Sequence, residues 1–116
     1  MSILLETQHD YAWTLLQFLS DLLEAHEHED LQITFGDFWA RDGHRAKSTH
    51  YSRLGADINF FLGDRYLRTY EDAPDLWDEI GKRWRGADPR ARWGGDFRGE
   101  APLDLNHFSF EWYGVK

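Results

Sequence analysis

The stretch "ADINFFLGDRYL", residues 56 to 67, decides the fold. Its aliphatic and aromatic run reads as a strand, and Gly63-Asp64 after it reads as a tight hairpin turn. Upstream, "LQITFGDFW", residues 31 to 39, has the β-branched and aromatic character of another strand. Between the two, "ARDGHRAKST" carries the Gly, Asp and Ser of a loop. From about Thr7 to Glu27, Tyr11, Leu15, Leu16, Leu19, Leu22 and Leu23 recur at helical spacing, with Trp13 and Phe18 widening the stripe. The "HEHED" that follows, residues 26 to 30, has metal-ligand types, but His26 and His28 two apart would diverge on a helix. A frayed, solvated helix end is the expectation there.

Downstream of the hairpin, Pro74 in a first turn, acids Asp75, Asp78 and Glu79 early and Lys82, Arg83 and Arg85 late announce a second helix. Leu76, Trp77, Ile80 and Trp84 form its apolar face. "RWGGDF", residues 92 to 97, reads as a Gly-broken loop, and "NHFSFEWYGV", residues 106 to 115, as a last strand. Strands and helices partly segregated imply an α+β fold, a small antiparallel sheet with two main helices. At 116 residues the chain is expected to form a single domain, 1-116.

Composition narrows the chemistry. Six Trp, five Tyr and eight Phe require a core or cleft built largely from rings. With no Cys, metal ligands must come from His, Asp and Glu. The net charge is −8, and the whole excess lies in residues 1 to 40, which hold eight acids and no Lys or Arg. The one locally basic stretch, residues 82 to 98, is interrupted by Asp88 and Asp96, so no nucleic-acid partner is expected. No stretch reaches the length of a membrane helix, and the N-terminal residues lack the pattern of a signal peptide. The expectation is synthesis in the cytoplasm, with no membrane partner.

Of the six His, His9 falls on the exposed side of the first helix and His44 in a Gly-flanked loop. His50 and His107 each precede a strand-like run, where a sheet can hold side chains toward one point. Six residues separate His50 from Asp57, enough to fold back and bring imidazole and carboxylate together. His107 would supply a third ligand for zinc, which in catalytic sites takes three protein ligands and water. Asp104, three residues before His107, suits a general base beside such a site. Spacing alone leaves the plain readings open: polar residues without a metal, and Asp104 capping a turn.

"STHYSRLGADINFF", then "RWGGDF", then "DLNHFSFEWYGV" together resemble the D-alanyl-D-alanine carboxypeptidase-like zinc peptidases, in particular their small phage and prophage branch of L-alanyl-D-glutamate endopeptidase endolysins. The resemblance runs from about "ITFGDFW" to the C-terminus, roughly two-thirds of the chain. The family pattern is Ser-x-His, an Asp seven residues after the His, and an acid three residues before a second His. Ser48, His50, Asp57, Asp104 and His107 match it.

The resemblance implies zinc held by His50, Asp57 and His107 at the sheet, with Asp104 as general base and Ser48 beside substrate. It implies an Arg that steadies the substrate, here Arg41 or Arg45, with Arg41 preferred. Arg53 stands where many members have Gly. Trp93, Phe97 and Trp112 are candidates for a cleft wall, against the alternative that they are core. The implied activity is hydrolysis of an amide bond in the peptidoglycan stem peptide by a monomer released from the cytoplasm during lysis. A D,D-carboxypeptidase or dipeptidase, and a zinc-stabilised phage module without turnover, are the alternatives.

Overall fold

The computed structural model describes residues 3–37, 54–97 and 104–112. Its elements are α1 (Ile3–Ala25), β1 (Leu31–Phe35), β2 (Gly55–Leu62), β3 (Arg65–Tyr66), α2 (Pro74–Ala87), β4 (Ala91–Trp93) and β5 (His107–Phe110). The five strands form one antiparallel sheet in the order β1-β2-β5-β4, with β3 continuing along β2 beyond the end of β5. The architecture is α+β, as the segregation of elements implies.

The alternation of β2 sets the faces. Ala56, Ile58 and Phe60 are fully buried, so Asp57, Asn59 and Phe61 point the other way. A one-residue slip would drive Asp57 into the core, which makes the register strongly determined. Phe108 and Phe110 do the same for β5, turning His107 and Ser109, themselves buried, to the opposite face of the sheet. Across the turn after β2, Leu62 pairs with Arg65, and Gly63 takes the left-handed conformation (φ 60°) that a two-residue hairpin loop demands.

Both helices cover the inner face. Tyr11, Leu15, Phe18, Leu19 and Leu22 of α1 are buried, as are Leu76, Trp77, Ile80 and Trp84 of α2. Rings meet across the layers tilted, edge to face and stacked in turn: Phe18 lies 5.5 Å from Phe108, Trp77 5.6 Å from Phe60, and Trp84 5.9 Å from Phe110. The Trp84 indole also donates to the Arg92 carbonyl at 3.0 Å, so α2 caps a polar group of the last strand in the sheet order.

Five readings of the sequence change. The first helix begins at Ile3, ends at Ala25, and leaves Trp13 and Leu16 outside its buried stripe, 65% and 62% exposed. "HEHED" is not frayed: Glu27–Glu29 form a 3-10 turn, and His26 packs against α2. The first strand stops at Phe35 rather than 39, and the last spans only His107–Phe110. Within "RWGGDF", Arg92 and Trp93 belong to β4 before the Gly residues break it, because three residues suffice to pair with β5.

Candidate functional site

The polar face of the sheet brings Asp57 and His107 directly opposite one another across β2 and β5. His107 Nδ1 and Asp57 Oδ1 are 3.8 Å apart. That is too long for a hydrogen bond. Two ligands of one tetrahedral zinc, each at about 2.0–2.1 Å from it, stand roughly 3.3 Å from each other, so this separation needs only a small adjustment to fit. His107 is 6% exposed and Phe97 tilts against its imidazole with ring centres 5.3 Å apart, while Asp57 keeps more of its surface.

Two close backbone approaches hold the pair. A Cβ on Gly36 would come 3.0 Å from Asp57 Cβ, and Gly36 N–H donates to the Asp57 carbonyl at 2.7 Å. The Asp57 N–H donates in turn to Asp37 O at 2.8 Å, so the chain beyond β1 stays seated on this residue. A Cβ on Gly94 would fall 1.8 Å from the Asp104 carbonyl oxygen and 2.9 Å from His107 Cβ. Gly94 is therefore required where "RWGGDF" meets "DLNHF".

Asp104 is positioned by the turn it begins. His107 N–H donates to its carbonyl at 3.1 Å, and the Trp93 indole donates to Leu105 O at 2.8 Å, locking the turn to β4. The Asp104 residue itself is exposed. On the opposite side of the sheet, the Tyr11 hydroxyl donates to Phe108 O at 2.7 Å. Burial and, secondarily, the nearby charge of Asp57 raise the Tyr11 pKa far above its usual range, so it stays neutral and donating.

Asp57 and His107 are thus brought together side chain to side chain, and Asp104 is tied to His107 through its backbone carbonyl. His50, Ser48, Arg41 and Arg45 lie outside the described residues. Among the described residues no group of three or more His, Asp or Glu is placed to hold a metal ion, so the pair would need a further donor. Of the three aromatic candidates, Phe97 borders His107, Trp93 is core stacked 6.3 Å from Trp77, and Trp112 packs half-buried against the core. The sequence reading missed Gly36 and Gly94, although glycines in "TFGD" and "WGG" were the signal for close backbone approach.

No family model, curated protein or solved structure matches the chain. Among the described residues, no helix is long and apolar enough to cross a membrane.

Proposed function

We propose that this chain is a zinc-dependent peptidase that hydrolyses an amide bond in the peptidoglycan stem peptide, in the manner of the L-alanyl-D-glutamate endolysins its motifs resemble. What supports the reading is the cross-strand pairing of Asp57 with His107, with Asp104 one tight turn away. A hard carboxylate and an imidazole form a donor set that suits zinc. Asp57 and His107 would hold the metal with His50 as third ligand. When bound, the ion supplies Lewis-acid polarisation and lowers the pKa of water.

The chain's own residues perform the proton transfers. Asp104, exposed one turn before His107, accepts a proton from the attacking water and returns it to the leaving amine. Phe97 shields the imidazole edge of the site from solvent. Arg41, or Arg45, binds the substrate carbonyl or carboxylate, and Ser48 hydrogen-bonds beside it.

The deciding experiment incubates the purified protein with isolated murein, with and without a chelator, and identifies the released peptides by mass. Wild type should release stem-peptide fragments only with metal present, and Asp104→Ala should retain zinc while losing turnover. Full activity in zinc-free protein would overturn the mechanism. Zinc-loaded protein inert on every murein would leave a binding module instead.

A further inference from the structure

Beyond the helical layer, on the side of the molecule away from Asp57 and His107, a groove of about 340 Å³ runs between α1 and α2. Trp13 and Phe18 form its α1 wall, Gly86 and Ala87 its α2 wall, with Asp21 and Arg83 on the rim. A Cβ on Gly86 would meet nothing within 4 Å, so the groove is open above this helix position. Trp13 and Leu16, three residues apart and therefore neighbours on one helix face, stand out into solvent beside it. Two large apolar side chains next to a furrow of mixed lining, in which Thr14 and Gln17 accompany the rings, form the kind of surface that receives an amphipathic helix.

Charge selects the occupant. The exposed residues of α1 include Glu6, Asp21 and Glu24, with Asp10 already paired to Arg90 at 3.4 Å, and Glu27, Glu29 and Asp30 extend the acidic surface past its end. On the α2 side, Arg83 is turned onto Glu79 at 2.8 Å, leaving Lys82 as the cation one turn before Gly86. A second copy of the chain would bring acidic helix against acidic helix, and an anionic membrane would repel it. A helix with Lys and Arg flanking an apolar stripe matches both the groove and its field.

We propose that the α1–α2 groove is the docking site for a basic amphipathic helix of a partner protein. Trp13 and Leu16 pack along its apolar stripe, one side chain of that stripe enters above Gly86, and its basic residues face the acids of α1. The proposal is independent of the peptidase reading, because the groove and the Asp57–His107 pair lie on opposite sides of the sheet.

The test uses the full chain and fluorescence anisotropy of a labelled amphipathic peptide of about 18 residues, five helical turns, built from Leu and Lys. A Leu/Glu peptide of the same pattern is the control. The Leu/Lys peptide should bind saturably and more weakly as salt rises, and the Leu/Glu peptide should not bind. Trp13→Ala and Gly86→Phe should each weaken binding by about tenfold or more. Thermal unfolding establishes that each variant is folded, and Leu16→Gln replaces either that is not. Unchanged affinity in the folded variants, or equal binding of the two peptides, would overturn the proposal. So would a dimer in sedimentation that Trp13→Ala dissociates, or binding to phosphatidylcholine/phosphatidylglycerol vesicles in place of the peptide.

Discussion

Two histidines in this molecule stand beside carboxylates, and they are treated in opposite ways. His26, at the end of α1, is gripped from both sides: Nδ1 lies 2.7 Å from Glu29 and Nε2 2.8 Å from Glu79 of α2, which also accepts from Arg83. Carboxylates only accept, so holding both bonds at once requires both ring nitrogens to donate, as the imidazolium form does. His107 faces Asp57 from 3.8 Å, held there by strand register and by backbone pressed close at Gly36 and Gly94. The first pair is closed and works as a strut between two helices. The second is kept apart by the scaffold, at a spacing that suits two ligands of one ion better than it suits a bond between them.

The comparison is sharpened first where the expected effect is largest. His107→Ala should abolish zinc binding in equilibrium dialysis and reduce murein hydrolysis by a factor of about 10³ or more, whereas His26→Ala should leave both unchanged. Loss of zinc in the His26 variant, or its retention without His107, would erase the distinction. Next is Gly94→Ala. Its Cβ cannot coexist with the Asp104 carbonyl, so the turn must move, at a cost of about 2–4 kcal/mol in urea unfolding and with weakened zinc affinity.

His26→Ala should cost about 1–2 kcal/mol of stability, since it removes two charge-assisted hydrogen bonds, one of them to the well-exposed Glu29. The same strut carries a pH dependence with two edges. Burial disfavours the His26 charge, but the hydrogen bonds to Glu79 and Glu29 outweigh it and raise the pKa above the ordinary imidazole value of about 6.5. Its contribution is complete below that ordinary value and is lost as pH rises through the folded one. Glu79 runs the other way. Burial works to raise its pKa, yet hydrogen bonds from His26 and Arg83 lower it below 4.5, so its contribution is present above 4.5 and disappears on acidification through the folded value. Unfolding free energy measured against pH should lose the upper edge in His26→Ala and keep a smaller acidic one, because Arg83 still holds Glu79. The smallest effect is expected at Gly86→Ala, which should stabilise α2 by about 0.5–1 kcal/mol, because the added methyl meets nothing and Ala favours helix.

The parts of the fold written in short-range pattern were readable before any coordinates. The stripe from Tyr11 to Leu22, Pro74 and the charge gradient of α2, and the turn at Gly63-Asp64 all report local physics. Trp13 misled because ring size outweighed its angle: it sits across the helix from Tyr11 and Leu15, where no sheet waits. His26 misled because its decisive partner is 53 residues away, and no local window contains Glu79. At the site, the sequence already grouped Asp57, Asp104 and His107, and the structure adds that Asp57 and His107 face each other across β2 and β5. What holds the pair in place, two glycines with no side chain to announce them, becomes visible only when the backbones meet.

Tyr11 has a bearing on any attempt to shorten this protein. A fragment starting at Ile33 would keep every residue of the proposed chemistry and the whole span of the family resemblance. It would also strip five large side chains from the back of the sheet and withdraw the hydroxyl that holds Phe108, the residue seated between His107 and Ser109. The first helix contributes no group to the proposed chemistry, yet the strand that carries His107 leans on it. For domain grafting or truncation, the smallest portable unit therefore includes α1, and a boundary drawn from motifs alone would cut through the foundation of the sheet.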